Sequence, residues 1–210
     1  MLKKILFILF LVVSSTLLLN ITYIYIGFDK HVDFLQTKQL IYTIKSWKYS
    51  FYIHVFTGIL IYISGGLQFL ITHQKHPKLH RVLGYLYVGL IFITFPAVLI
   101  MSFRANGGYI AQVSFVTQSL LWLVCTWLGL RAILKNKPIT HKKFMIRSYA
   151  LTLGAFTLRL LAFFIGMMKI DVHPNVKYIF IAYASWIINL ILAEWFIYKV
   201  IPSTQSLHQH

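Results

Sequence analysis

Residues 81–103 read RVLGYLYVGLIFITFPAVLIMSF, and this stretch decides the class of fold. After its first arginine the run has no charged side chain. It is long enough to cross the hydrocarbon core of a bilayer, which takes about 20 mainly apolar residues as a helix. It also lacks the period-two alternation of a strand in a membrane barrel. The run therefore predicts a transmembrane helix.

Further runs of the same kind lie on both sides of this one. Of the 210 residues, 59% are hydrophobic and only 11% are charged, whereas a soluble domain needs polar side chains to cover its surface. We therefore expect an all-α, polytopic transmembrane helical bundle that forms a single integral membrane domain over residues 1–210. The six transmembrane helices are predicted at residues 4–26, 50–72, 81–103, 111–134, 145–168 and 178–200.

The basic residues predict the orientation of the chain. Lysine and arginine collect in cytoplasmic loops, and their distribution here favours a cytoplasmic N-terminus and, with six crossings, a cytoplasmic C-terminus. The more polar segment between the first two helices then lies outside, where it is predicted to form a short surface helix. The formal net charge of +16 is explained by this arrangement and by contact with anionic lipid headgroups. Membrane lipids are thus the expected partners, and nucleic acid is not.

Ionisable side chains within transmembrane helices are costly to insert, so each is a candidate functional residue. Counting along the helices places His54 about 5 Å and Arg159 roughly 13 Å from the outer face. The remaining candidates lie towards the inner face, with Gln68 and Glu194 as polar residues inside the membrane. The full set of candidates is His54, Gln68, His80, Arg81, His141, Arg147, Arg159 and Glu194.

Two histidines near the inner face suggest a cofactor. His80 and His141 begin the third and fifth helices on the same predicted side. Neutral imidazoles are common axial ligands of haem iron, and arginines can hold its propionates. These two residues are therefore candidate metal ligands to one haem b. The other interpretation of such basic residues is that they anchor helix ends to lipid phosphates.

A glycine four residues after a histidine occurs twice. His54 and Gly58 share one face of their helix, and so do His80 and Gly84. A glycine beside an imidazole leaves space in which a flat ligand could approach the backbone.

Several of these residues lie in stretches that resemble a bacterial family of predicted membrane proteins, domain of unknown function 2306. Phe144 stands where that family usually has tryptophan. The resemblance implies a multi-helix protein of the bacterial inner (cytoplasmic) membrane and supplies no established activity. The stretches that carry it are residues 54–58 (HVFTG), 66–69 (GLQF), 79–85 (LHRVLGY), 141–150 (HKKFMIRSYA), 157–159 (TLR), 186 and 189–194 (NLILAE).

Three functions remain open from the sequence. The first is a b-type haem-binding or quinone-linked electron-transfer protein, with quinone or a redox protein as partner. The second is a small-solute or proton-coupled transporter that uses Arg159, Glu194 and Gln68. The third is a non-catalytic scaffold or accessory subunit. No phosphate loop, HExxH pair or GxSxG turn occurs, so no catalytic residue, reaction, substrate or oligomeric state is assigned.

Overall fold

The structure is a computed structural model that describes residues 2–169 and 172–201. These residues form helices and connections and include no strand, which confirms the all-α fold. Six of the helices are long and apolar enough to cross a membrane. In chain order the helices are α1 (Leu2–Tyr23), a 3-10 helix (Asp33–Lys38), α2 (Gln39–Tyr42), α3 (Lys45–Leu70), α4 (Pro77–Ser102), α5 (Gly108–Leu134), α6 (Pro138–Met167) and α7 (Pro174–Val200).

The six long helices match the predicted transmembrane runs, but all six begin earlier than hydropathy predicts. The largest difference is at α6, which begins at Pro138 rather than at residue 145. Proline is favoured at the first helical position because its fixed φ suits a helix and its missing N–H is not needed there. Each of α4, α6 and α7 has proline at this position. Their polar first turns continue the helix beyond its apolar part.

The helices divide into two units, Met1–Ala105 and Asn106–His210. In the first unit, α3 packs mainly against α4 and also contacts α1. Two hydroxyl contacts join these helices: Thr57 Oγ1 to Thr94 Oγ1 at 2.6 Å, and Tyr62 Oη to Ser14 Oγ at 2.8 Å. Such polar contacts join helices in a membrane, where burial of apolar surface provides no drive for association.

The second unit is a three-helix arrangement in which α6 packs against both α5 and α7, and α5 also contacts α7. Buried polar pairs again join neighbouring helices. Thr126 Oγ1 lies 2.7 Å from Ser148 Oγ, and Trp186 Nε1 donates to Ser114 Oγ at 3.0 Å. These contacts fix the positions of α6 and α7, which carry the candidate residues of this unit.

The connection between α1 and α3 folds against the first unit, and it contains the predicted short helix as a 3-10 turn followed by α2. Leu35 is fully buried there, in a cluster with aromatic residues that include Trp47 and Phe51. Lys38 is only 3% exposed. Its Nζ donates to the carbonyl oxygen of Arg104 at 2.5 Å. Burial lowers the pKa of Lys38 from 10.5 to about 8.

Candidate functional site

His80 is held on two sides at the beginning of α4. Its backbone N–H donates to the carbonyl oxygen of His76 at 2.9 Å, which completes the first helical turn. Its ring Nδ1 lies 2.7 Å from the carbonyl oxygen of Ile71, the residue that directly follows α3. Because a carbonyl can only accept, Nδ1 must carry a proton. In the neutral ring, Nε2 is then the nitrogen without a proton, as metal coordination requires.

His141 has the same arrangement at the beginning of α6. Its N–H donates to the carbonyl oxygen of Lys137 at 3.0 Å, and its Nδ1 lies 2.8 Å from the carbonyl oxygen of Gly129 in α5. Nδ1 is therefore again the protonated nitrogen. The two helices approach closely here, since a Cβ on Gly129 would lie 2.7 Å from Sδ of Met145. Glycine at this position lets α6 bring the imidazole to the carbonyl.

Positive charge follows each histidine directly. Arg81 follows His80, and Lys142 follows His141; both cations are exposed, whereas the two imidazoles are half-buried. His73 also lies next to His80, with ring centroids 6.0 Å apart and planes at 85°. Consecutive residues of a helix point about 100° apart, so each cation lies on a different side of its helix from the imidazole that precedes it.

Arg147 and Glu194 are joined to each other. Arg147 Nε lies 2.5 Å from one carboxylate oxygen of Glu194, and Nη2 lies 2.8 Å from the other. This bidentate pair links α6 to α7, and the arginine also lies over the ring of Phe144 at 5.2 Å. Bidentate pairs are among the stronger polar contacts. Each of the two charged side chains is therefore explained by its contact with the other, which joins α6 to α7. No local sequence pattern predicts this contact.

Of the remaining candidates, Arg159 lies in the second unit, and Gln68 and His54 lie in the first. Nη1 of Arg159 donates to the carbonyl oxygen of Ala155 in the preceding turn of α6, at 2.7 Å. Gln68 Nε2 donates to the carbonyl oxygen of Leu83, one turn after His80, at 3.4 Å. His54 lies half-buried in the same unit, about 25 Å along α3 from the residue that binds the ring of His80.

The two glycines that follow histidines differ in their surroundings. A Cβ on Gly58 would meet nothing within 4 Å, whereas on Gly84 it would lie 3.6 Å from Oε1 of Gln68. The predicted space is therefore open beside Gly58 and bordered by an amide beside Gly84.

In the part of the chain that the structure describes, no three His, Cys, Asp or Glu side chains are grouped to hold a metal ion. Haem iron already has four porphyrin nitrogens, so one or two imidazoles complete its ligands. His80 lies in the first unit and His141 in the second. Their joint ligation of one haem stays a prediction.

Comparison with known proteins gives one match. A family model described as a predicted membrane protein, DUF2306, matches residues 51–197. No curated protein matches the chain, and no solved structure does. The matched residues run from the second turn of α3 almost to the end of α7 and include every candidate named above.

Proposed function

The chain belongs to the DUF2306 family of predicted membrane proteins, and from that premise we propose that it is a b-type haem-binding electron-transfer protein. We place it in the inner membrane of a bacterium, with a quinone or a redox protein as its partner. One observation carries the proposal: each of two imidazoles, at His80 and His141, has Nδ1 bound to a backbone carbonyl.

This hydrogen bond is the contact expected of an imidazole that coordinates iron. A ligating histidine nearly always donates its other ring N–H to a carbonyl or carboxylate, which fixes the tautomer and the ring orientation. In this proposal His80 and His141 would hold the iron through Nε2, and the exposed cations Arg81 and Lys142 would be available to the propionates. A bound haem would supply one-electron chemistry at its iron.

The same tautomer decides how a quinone would be handled if it were the ligand. With Nδ1 donating to Ile71, the neutral ring of His80 offers only an acceptor at Nε2. Nε2 would accept a hydrogen bond from the hydroxyl group of a quinol. It could not donate a hydrogen bond to the carbonyl group of a quinone. The site would therefore favour the reduced carrier, as a source of electrons.

A scaffold function has support from the same contacts. Both histidine bonds tie the beginning of one helix to the helix before it, and the Arg147–Glu194 pair ties α6 to α7. Polar residues whose only role is to join helices would make the same hydrogen bonds. The transporter has no comparable support, because the carboxylate of Glu194 is already engaged by Arg147.

The experiment distinguishes the structural role of Nδ1 from the ligand role of Nε2 in each imidazole. The protein is purified in mild detergent from haem-replete cells, and spectra are recorded oxidised and after dithionite. In His80→Asn and His141→Asn, the amide nitrogen can replace Nδ1 as donor to the carbonyl, while nothing replaces Nε2. A ligand role predicts a Soret band in the wild type that is weakened or lost in the asparagine variants, with the fold intact by circular dichroism.

The controls separate ligand loss from unfolding. His31→Asn changes an exposed histidine in the connection between α1 and α3 and should keep the full Soret band. His80→Ala removes both nitrogens, so a scaffold role predicts that it lowers the melting temperature while His80→Asn does not. A wild-type protein that is folded and colourless after growth with haem would refute the haem proposal.

A further inference from the structure

Two short segments of the chain share a pattern. Residues 77–81 read PKLHR and residues 138–142 read PITHK: proline, two residues, histidine and a cation. Three matching positions of five could arise by chance. Their structures also agree, however, both in the backbone entry that the shared proline favours and in a side-chain contact that the shared residues do not dictate.

The backbone enters both helices in the same way. The residues before the prolines, His76 and Lys137, have φ of −139° and −111° and ψ of 69° and 74°. Proline disfavours the helical conformation in the residue before it, so each helix begins sharply at the proline. Each histidine is then the residue whose N–H bonds to the residue before the proline, at 2.9 Å and 3.0 Å. The two Cα positions are therefore equivalent within their helices.

The side chains are held by equivalent contacts as well. Nδ1 lies 2.7 Å from a carbonyl oxygen in His80 and 2.8 Å in His141. The acceptor lies in both cases near the C-terminal end of the preceding helix: Ile71 directly follows α3, and Gly129 lies in the last turns of α5. The carbonyl that binds each imidazole belongs to the same unit as the histidine: Ile71 and His80 lie in the first unit, and Gly129 and His141 lie in the second.

We infer that the chain contains one ligand-presenting hairpin twice, and that each copy binds a haem of its own. This inference rests on the proposed function and deepens it, because it sets the number of haems and assigns one histidine to each. A single haem shared by His80 and His141 is the arrangement that it replaces.

The two sites should differ in their properties. His73 lies beside His80, whereas residues 134–137 (LKNK), at the corresponding positions before α6, include no histidine. A neighbouring imidazole changes the polarity and hydrogen bonding around a ligand, and these features tune the potential of a haem. A redox titration should therefore resolve two steps.

The test is the number of haems per chain, measured as pyridine haemochrome against protein from quantitative amino-acid analysis. We expect two in the wild type and in His31→Asn, one in His80→Asn, one in His141→Asn and none in the double variant. The wild-type ratio decides the matter even if a variant fails to fold.

The other outcomes separate the two proposals. One haem per chain that either asparagine variant abolishes would overturn the duplication and leave haem binding standing, with both histidines on one iron. One haem that only one of the variants abolishes would overturn the duplication as well. A folded wild-type protein with no haem would overturn the duplication and the proposed function together.

Discussion

Lys38 gives a prediction whose size follows from its surroundings. The side chain is 3% exposed, and burial lowers its pKa from 10.5 to about 8. Each pKa unit corresponds to about 1.4 kcal/mol, so burial of the charged ammonium costs the folded state about 3 kcal/mol. Replacement by methionine removes this cost at every pH. It also removes the hydrogen bond to the carbonyl of Arg104.

The sign of the pH dependence follows from the protons bound in each state. Between pH 8 and 10.5 the unfolded chain keeps the proton on Lys38 while the folded protein has released it. Folding stability therefore rises with pH in this interval, and the cost of the buried charge is fully present below about pH 8. From pH 7 to pH 9.5 the wild type should gain about 2 kcal/mol relative to Lys38→Met.

The assay is thermal unfolding in detergent, with the melting temperatures of wild type and Lys38→Met compared at each pH. A gain of 2 kcal/mol corresponds to a shift of about 4–8 °C for a chain of this length. Lys45→Met, which removes an exposed lysine at the beginning of α3, is the matched control and should show no such trend. A difference between wild type and Lys38→Met that stays constant from pH 7 to pH 9.5 would refute the reasoning.

Two further predictions concern the second unit. Arg147→Gln and Glu194→Gln should each destabilise the protein by about 1–2 kcal/mol, because each leaves one charge without its partner. The double variant should cost less than the sum, and strictly additive melting shifts would contradict the pairing. Gly129→Ala should push Met145 away from α5 and weaken the hydrogen bond of His141, at a cost of about 1–3 kcal/mol and with lower haem content. Adding Met145→Ala to Gly129→Ala should restore part of the lost stability and part of the lost haem content. If neither is restored, the crowding does not involve Met145.

The sequence predicted the six transmembrane helices because long apolar runs in lipid have few alternatives to a helix. It placed several helix starts too late because hydropathy detects only the apolar part of a helix. The polar first turn of α6, from Pro138, is helical although its residues suggest a loop. The 3-10 turn at Asp33–Lys38 was predicted only as part of a short surface helix, since six mixed residues fit several local structures.

The candidate residues were identifiable from their chemistry, and their partners were not. His80 and His141 were chosen as ionisable groups at helix ends. The carbonyls of Ile71 and Gly129 that bind them are backbone groups, which every residue has. From the sequence, Arg147 was a candidate to bind either lipid phosphates or an anionic ligand. Its bond to Glu194 spans 47 positions of the chain, and no local pattern reports a contact over that distance.

The Arg147–Glu194 pair also bears on how the last two helices enter the bilayer during synthesis. α6 leaves the ribosome first and carries Arg147, while Glu194 follows later on α7. A charged side chain makes insertion of a helix less favourable, and the opposing carboxylate is not yet present to offset the charge of Arg147. We expect α6 to remain beside the translocon until α7 emerges, so that the two helices partition into lipid as one hairpin.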